Sequence, residues 1–313
     1  MNTAFADELM ILDGGLATEL ERRGHDVSGP LWSAGVLRTD PAAIEQLHYD
    51  YFVAGARCAI SASYQASYEG FASAGLAADE TTALLACAVE LAHSARARYR
   101  RDHPTARRQL YVATSIGPYG AISHDGAEYR GDYGLSVGQL VEFHARRFRV
   151  LAAAGADWLA CETIPVLDEA RALAAILADH PGAAAWMSFT SPDGIHTSHG
   201  EPLIECARLV DRVPGVFAVG VNCVRPEIVG AAIRSLKAGT GKAIVVYPNS
   251  GEHWDARTHD WHGSCDHGSL ATLAPQWVRA GARLVGGCCR IGPREIAELD
   301  EALSRNGVIR DPG

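Results

Sequence analysis

The chain has 313 residues, 48% of them hydrophobic, and a formal net charge of −9 at pH 7, so it is typical of water-soluble globular proteins and unsuited to bind nucleic acid. No apolar run approaches the ~18 residues of a membrane span, and Asp7 and Glu8 stand where a signal peptide would need basic residues. We therefore expect a cytoplasmic protein whose eight cysteines remain thiols, for packing or for metal.

Eight apolar, β-branched segments recur along the chain and are typical of buried parallel strands. They cover residues 10–13, 58–63, 110–116, 157–163, 183–190, 216–223, 242–249 and 283–289. Longer segments with helical periodicity alternate with them. These cover residues 41–54, 79–99, 136–153, 167–179, 202–210, 226–236, 270–280 and 293–303. Proline at positions 41, 226 and 293 marks three helix starts.

This alternation predicts a single (β/α)8 barrel, with residues 1–313 forming one domain. The main alternative is a doubly wound open sheet, which would use the same kinds of element. A weak internal repeat, Gly-Ala-Arg or Gly-Ala-Asp, begins at residues 55, 155 and 281, just before three predicted strands. Helices that end in glycine before each new strand produce such a repeat, and repeated units favour the barrel.

Polar residues close five of the predicted strands: Asp13, Glu162, Cys223, Asn249 and the pair Cys288-Cys289. In a barrel these strand ends share the C-terminal rim, where active sites are built. A carboxylate directly after an apolar strand, such as Glu162, is costly unless it meets a cation, and a substrate ammonium group would supply one. For Asp13-Gly14-Gly15 a plain strand-to-helix turn is an equally good interpretation.

Three cysteines that each end a short apolar run predict a thiolate-rich metal site: Cys223, Cys288 and Cys289. Cys288 and Cys289 cannot easily bridge to each other, because successive side chains of a strand point to opposite faces. Three thiolates and one exchangeable position are the pattern of a catalytic zinc site. The alternative is burial in the core, which we expect for the other five cysteines, Cys58, Cys87, Cys161, Cys206 and Cys265.

A second group of metal-binding residue types follows the seventh predicted strand and consists of His259, His262, Cys265 and His267. Its spacing matches no familiar zinc arrangement. The glycines and tryptophans of this segment, including Trp254, are more typical of a loop that covers the rim. We therefore expect its histidines to contact substrate at most.

Eight motifs along the chain resemble those of the homocysteine S-methyltransferases, which are zinc-dependent barrels. The motifs are Leu12-Asp13-Gly14-Gly15, Ser63-Tyr64-Gln65-Ala66-Ser67, Ser115-Ile116-Gly117-Pro118-Tyr119-Gly120, Glu128-Tyr129-Arg130-Gly131-Asp132-Tyr133, Glu162-Thr163-Ile164-Pro165, Gly220-Val221-Asn222-Cys223, Tyr247-Pro248-Asn249-Ser250-Gly251-Glu252 and Gly286-Gly287-Cys288-Cys289. The third and seventh motifs resemble the branch that uses S-methylmethionine. Betaine-using relatives carry a C-terminal extension and cobalamin-dependent ones need further modules, so we expect neither branch for a sequence that stops soon after its eighth predicted helix. Ser61-Ala62 departs from many relatives and leaves the donor pocket undefined.

The resemblance implies that the three cysteines hold Zn²⁺ and that homocysteine adds its sulfur as a fourth ligand. It also implies that Asp13 and Glu162 hold the amino group of homocysteine, assisted by the backbone near Gly14. Asn222 and Asn249 are expected to orient groups at the zinc. Three aromatic residues are expected either to face the donor sulfonium through cation–π contact or to serve in packing: Tyr64, Tyr247 and Trp254.

The implied function is zinc-dependent transfer of a methyl group from a sulfonium donor, S-methyl-L-methionine or S-adenosylmethionine, to the thiolate of L-homocysteine, giving methionine. One alternative is the same family with betaine as donor or another thiol or selenol as acceptor. Another is a non-enzymatic zinc or thiol redox sensor. A zinc hydrolase is disfavoured, because three thiolates donate too much charge to acidify a bound water. We expect a monomer whose partners are these small molecules, without nucleic acid or membrane.

Overall fold

The structure, a computed structural model, describes residues 9–29, 31–123, 125–255, 260–262 and 268–305, except for the side chains of 253–255 and 260–262. The strands are β1 (Met10–Ile11), β2 (Cys58–Ile60), β3 (Tyr111–Ile116), β4 (Trp158–Ile164), β5 (Ala185–Phe189), β6 (Val216–Asn222), β7 (Ala243–Tyr247), β8 (His253–Asp255), β9 (Asp260–His262) and β10 (Ala282–Val285). Strands β8 and β9 form a small antiparallel hairpin.

The helices are α1 (Leu16–Arg22), α2 (Ser33–Thr39), α3 (Pro41–Val53), α4 (Tyr68–Ser73), α5 (Ala78–Asp102), α6 (Val137–Ala153), α7 (Leu167–Ala178), α8 (Leu203–Asp211), α9 (Val229–Lys237), α10 (Leu270–Ala280) and α11 (Pro293–Arg305). Three short 3₁₀ turns cover Tyr119–Ile122, Ala127–Tyr129 and Pro226–Ile228. Within the described ranges, every helix is too short or too polar to cross a membrane.

The eight remaining strands form one parallel sheet in the order β1, β10, β7, β6, β5, β4, β3, β2. Its two edges meet where Leu12 pairs with Cys58, and the backbone N–H of Asp13 donates to the carbonyl of Cys58 at 3.0 Å. The sheet is therefore a closed ring with helices outside. This closure confirms the predicted (β/α)8 barrel and excludes the doubly wound sheet.

Side chains of each strand alternate between the barrel interior and the helix layer. In β4, for example, Trp158 and Ala160 belong to the inner apolar cluster, whereas Leu159 and Cys161 pack under the helices. The inner cluster consists of Met10, Leu12, Cys58, Tyr111, Ala113, Trp158, Ala160, Trp186, Ala218, Val245, Tyr247 and Leu284. The lower barrel is thus filled with side chains and is not a channel.

Several strands end earlier than the sequence pattern predicts. The first barrel strand ends at Ile11 and the last at Val285. Asp13, Cys288 and Cys289 therefore lie in loops just beyond the strand ends. The chain stays close to its neighbours there, because Gly287 N–H donates to Asp13 O at 3.0 Å and Cys288 N–H donates to Pro248 O at 2.8 Å. These bonds end the regular ladder while holding the loops against the rim.

Candidate functional site

A layer of polar side chains closes the upper barrel, one from each of five adjacent strands: Ser115, Glu162, Ser188, Asn222 and Tyr247. All five are buried. Ser115 donates a hydrogen bond to Glu162, and the hydroxyl of Tyr247 is close enough to lower the pKa of the same carboxyl. The hydroxyl of Ser188 lies 2.6 Å from that of Tyr247 and donates to Asn222 Oδ1 at 2.7 Å. One continuous network therefore links β3 to β7 and fixes the orientation of the Glu162 carboxylate.

The Asn222 amide holds the irregular backbone of β4 just after Glu162, where the pairing with β5 shifts register. Its Nδ2 donates to Thr163 Oγ1 at 2.8 Å, and its Oδ1 accepts from Thr163 N–H at 2.8 Å. Thr163 has a φ of 62°, in the left-handed region that β-branched residues rarely adopt. Such backbone strain persists only when surrounding bonds impose it, and it occurs most often at functional sites. The structure thus directs the Asn222 amide toward the end of β4.

Both predicted site carboxylates, Asp13 and Glu162, face the barrel mouth without a cationic partner among the described residues. Asp13 Oδ2 accepts from the N–H of Ile60 at 2.8 Å, while its Oδ1 is buried and has no partner in the described part of the chain. Burial raises the pKa of Asp13 well above its ordinary value, and the charge of Glu162 raises it further. Burial also raises the pKa of Glu162 to about 7, against the hydrogen bonds from Ser115 and Tyr247. This pair suits a bound ammonium group.

The three predicted metal ligands, Cys223, Cys288 and Cys289, converge so that their sulfur atoms lie within 4.8 Å of one another. The structure joins Cys223 to Cys288 in a disulfide whose Cα atoms are 5.5 Å apart, and Cys289 is a free thiol. The expectation that all three are thiols is therefore wrong for this pair. The physical reason is the convergence itself, since sulfurs placed to share one ion are also within reach of each other.

In the reduced state the trio fits a zinc ion. Thiolates are the soft ligands that zinc prefers, and three of them leave one position for substrate. The loop that carries them is fixed from β7, because Cys289 N–H donates to Asn249 Oδ1 at 3.1 Å. Burial raises the pKa of the Cys289 thiol to about 12. This thiol therefore needs the charge of a metal to lose its proton near neutral pH.

A cavity of about 120 Å³ connects the carboxylates to the cysteines. Its walls include most of the predicted site residues: Asp13, Gly14, Tyr64, Glu162, Asn222, Cys223, Tyr247, Cys288 and Cys289. Asn249 lies instead on a second cavity of about 580 Å³, which shares Cys223 and Tyr129 with the first. Among the described residues that line the first cavity, three are carboxylic acids and none is lysine, arginine or histidine.

The homocysteine S-methyltransferase family model matches residues 10–303. The chain belongs to the homocysteine S-methyltransferase family. A homocysteine S-methyltransferase of Escherichia coli is 49% identical over 293 residues, covering 93% of this chain and 94% of that protein. The metallated form of the E. coli homocysteine methyltransferase MmuM has a TM-score of 0.85 at 46% identity, covering 94% of this chain and 96% of that one. Its oxidized form has the same TM-score at 47% identity, covering 94% and 95%. The protein is therefore a methyltransferase.

Among the cavity residues that the sequence did not predict as site residues, Glu128 and Gln65 are distinguished by unpaired buried oxygens. Each has one buried side-chain oxygen without a partner in the described structure, Glu128 Oε2 and Gln65 Oε1. Burial raises the pKa of Glu128 to about 7. Both lie within motifs shared with the family, which was the available signal. They escaped notice because they stand in loops and not at the ends of strands.

The four other cysteines that the structure describes lie away from the cavity. Cys58, Cys161 and Cys206 are buried in the apolar core, and Cys87 is half-buried on α5. The predicted group of His259, His262, Cys265 and His267 cannot be placed, because the side chain of His262 and all of the other three residues lie outside what the structure describes, as does the side chain of Trp254.

Proposed function

We propose that this methyltransferase moves a methyl group from S-methyl-L-methionine to the sulfur of L-homocysteine and produces methionine. The observation that carries the proposal is one cavity in which two buried carboxylates face three convergent cysteine sulfurs. Homocysteine has an ammonium group at one end and a thiol at the other, so it matches both halves of that cavity. The family to which the chain belongs supports the same acceptor.

The ammonium group of homocysteine would bind between Asp13 and Glu162. It would satisfy Asp13 Oδ1, which has no partner in the described structure, and would return both carboxyls to their charged form. The backbone at Gly14 lines the same wall. A side chain at this position would lie 2.1 Å from the carbonyl oxygen of Ile291, so only glycine permits the turn.

Zn²⁺ held by Cys223, Cys288 and Cys289 would keep the homocysteine thiol deprotonated near neutral pH. The acceptor sulfur forms its bond to the methyl carbon as the bond from that carbon to the donor sulfur breaks. The electron pair stays on the donor sulfur, which leaves as a neutral thioether, so no general acid is required. Catalysis then depends on in-line positioning, with Tyr64 and Tyr247 beside the reacting groups and the charges cancelling in a buried site.

The remaining residues support this geometry. The amide of Asn222 holds the backbone of β4 just after Glu162, and that of Asn249 holds the loop of Cys289. The methyltransferase is expected to act as a cytoplasmic monomer, which sedimentation of the purified protein would test for the oligomeric state.

Methionine formation tests the proposal directly. The purified, reduced, zinc-loaded protein is given homocysteine with S-methylmethionine, S-adenosylmethionine, betaine or methyltetrahydrofolate in separate reactions. The expected result is fastest turnover with S-methylmethionine. A preference for betaine would move the protein to another branch of the family, and silence with all four donors would refute the proposed reaction.

The disulfide between Cys223 and Cys288 favours a second candidate, in which these thiols sense the redox state. A pure sensor would bind and release zinc on oxidation without forming methionine from any donor. Measuring zinc release and methionine formation on the same samples separates the two functions.

A further inference from the structure

Glu128 is a buried carboxylate that the proposed homocysteine site does not use. It lies on the 3₁₀ turn Ala127–Tyr129, in the loop between β3 and α6, and is 7% exposed. Its Oε2 is buried and has no hydrogen-bond partner in the described structure. Burying an unpaired carboxylate costs free energy unless a ligand compensates for it. The side chain lines the cavity beside the cysteines, so a ligand of the cavity can reach it.

The fold itself holds Glu128 in this position. Thr190 donates from its hydroxyl to the carbonyl of Glu128 at 3.3 Å. On the other side, a side chain at Gly120 would lie 2.4 Å from the Glu128 nitrogen, so the two loop segments touch through their backbones. The nearby Arg130 forms its ion pairs with Asp125 and Asp132, at 3.1 and 3.3 Å, and its charge lowers the pKa of Glu128 less than burial raises it.

The surroundings of Glu128 suit a second cation, distinct from the ammonium group that Asp13 and Glu162 would bind. Tyr64 and Tyr129 line the same cavity. Burial raises the pKa of both tyrosines, and the charge of Glu128 raises it further. Aromatic faces combined with a carboxylate form the kind of cage that binds onium ions. Asp13 and Glu162 already provide for one ammonium group, so the cavity carries one carboxylate more than homocysteine requires.

The methyl donor brings such a cation to this place. Its positive sulfur must approach the acceptor sulfur, and therefore the cysteines, for the methyl group to pass. Resting on the function proposed above, we propose that Glu128, with Tyr64 and Tyr129, binds the sulfonium centre of the donor and makes the site selective for sulfonium over thioether ligands.

This assignment has a consequence for turnover. Methyl transfer converts the donor sulfur from a cation into a neutral thioether, so its attraction to Glu128 ends with the reaction. When S-methylmethionine is the donor, the spent donor is methionine, which differs from it by the methyl group and the charge. A carboxylate at the sulfonium position therefore favours binding of the donor and release of the product.

Binding measurements can isolate the charge on sulfur. Calorimetric titrations of the reduced, zinc-loaded protein at pH 8 would compare dimethylsulfoniopropionate with its thioether, 3-(methylthio)propionate. Neither compound has an ammonium group, so neither competes for Asp13 and Glu162. S-Methylmethionine and methionine form a second pair that carries the ammonium group. The proteins are the wild type, Glu128→Gln and, as a matched removal of another carboxylate from the same cavity, Glu162→Gln.

Glu128→Gln is expected to weaken both sulfonium ligands by roughly 10- to 100-fold, because the electrostatic attraction between the carboxylate and the positive sulfur is lost in a buried site. It should change the affinity for either thioether by less than about threefold. Because homocysteine is absent from these titrations, the ammonium group of S-methylmethionine or methionine can occupy the site of Asp13 and Glu162. Glu162→Gln should therefore weaken both ligands of the ammonium pair and leave the other pair close to the wild type. Circular dichroism and thermal melts of each variant report whether it is folded.

Three results would overturn the assignment. An equal loss for sulfonium and thioether ligands would indicate a structural role for Glu128. A loss confined to the pair with an ammonium group would mean that Glu128 binds that group. Unchanged affinity for all four ligands would mean that it binds neither. Sulfonium binding that depends on Glu128 in a protein without methyl transfer would refute the proposed function and leave this site standing.

Discussion

The barrel interior has two layers that are built on the same strands and differ in polarity and in their effect on stability. The lower layer is aromatic, with Tyr111 and Trp158 stacked at 4.2 Å and Trp158 facing Trp186 edge to face at 6.4 Å. Two to four residues further along the same strands, the upper layer consists of a carboxylate, hydroxyls and an amide, including Glu162 and Ser188. The lower layer contributes stability through burial of apolar surface, whereas the upper layer buries charge at a cost. The difference shows that the residues suited to binding lower the stability of the folded protein, whereas the layer beneath them raises it.

A hydrogen bond between Trp186 and Tyr247 connects the two layers. Trp186 of the lower layer donates from its indole N–H to the hydroxyl of Tyr247 at 3.0 Å. The hydroxyl of Tyr247 in turn lowers the pKa of Glu162, so the aromatic packing below positions a group that acts on the carboxyl above. The lower layer therefore acts as a rigid base for the site as well as a core.

The largest effect is expected for the rim cysteines. Replacing Cys289 by alanine removes one of three metal ligands and leaves the Cys223–Cys288 pair intact. We expect loss of bound zinc and a fall in methionine formation of roughly 1,000-fold or more, since metal affinity depends on the full ligand set. Zinc content measured with turnover on the same reduced sample checks this.

Cys206→Ala is the matched control, because Cys206 is a buried core cysteine on α8. It should retain zinc and turnover while losing some stability. Normal zinc content and activity in Cys289→Ala would contradict the metal site.

The next largest effect concerns the lower layer. Trp158→Ala empties a position that is 6% exposed and packs against Tyr111, Trp186 and Phe217. We expect about 3–5 kcal/mol lower free energy of unfolding, as for large-to-small changes in other cores. At low temperature the folded fraction should keep zinc binding. Urea denaturation and zinc titration measure the two properties, and a loss of stability below about 1 kcal/mol would contradict the role given to this layer.

Glu162→Gln should separate function from stability. Its carboxyl has a folded-state pKa near 7 against an ordinary value of 4.5, so the folded protein favours the protonated form. The resulting stability is present below pH 4.5 and is lost as the pH rises through 7, at a cost of at most about 3 kcal/mol. The glutamine variant does not ionise, so it should melt above the wild type at pH 8 and close to it at pH 4.5.

The same Glu162→Gln variant should bind homocysteine roughly 10- to 100-fold more weakly at pH 8, because the ammonium group loses an ionised partner. Asp13→Asn is a comparison from the same pair and should also be stabilised at high pH. Glu162→Gln melting below the wild type at pH 8 would contradict the claim that the upper layer is costly.

The sequence predicts the barrel well, because its evidence is local. Apolar runs, helical periodicity and the prolines at helix starts each arise within a few residues. The rim then follows from topology, since parallel strands place their C-terminal ends together. Asp13, Glu162 and the three cysteines could therefore be assigned to one site although they are distant in the chain.

Loop geometry could not be predicted, because tertiary contacts determine it. Helices α1, α2 and α4 have seven, seven and six residues, too few to show a clear period. Glu128 reaches the cavity only because its turn packs on Gly120. The amide of Asn222 is hydrogen-bonded to Thr163, and Asn249 lines the adjoining cavity. The position of each residue at the end of a strand does not reveal these contacts. The disulfide depends on the redox state as well as on geometry.

The smallest expected effect tests the link between the layers. Tyr247→Phe keeps the ring but removes the hydroxyl that Trp186, Ser188 and Glu162 share. Leaving these buried groups unpaired should cost about 1–3 kcal/mol in the free energy of unfolding. Because Tyr247 lowers the pKa of Glu162, its loss should raise that pKa and move the pH at which homocysteine binding declines to a higher value.

The surface provides the matched control for this substitution. Tyr49 donates from its hydroxyl to Asp102 at 3.1 Å in an exposed hydrogen bond, so Tyr49→Phe should leave the stability close to that of the wild type. The pH dependence of homocysteine binding in Tyr247→Phe, in Glu162→Gln and in the double variant then decides the matter. A link through Tyr247 requires that the shift in pH vanish when Glu162 is already glutamine. If the shift persists in the double variant, another group titrates, and the aromatic base does not act on homocysteine through Glu162.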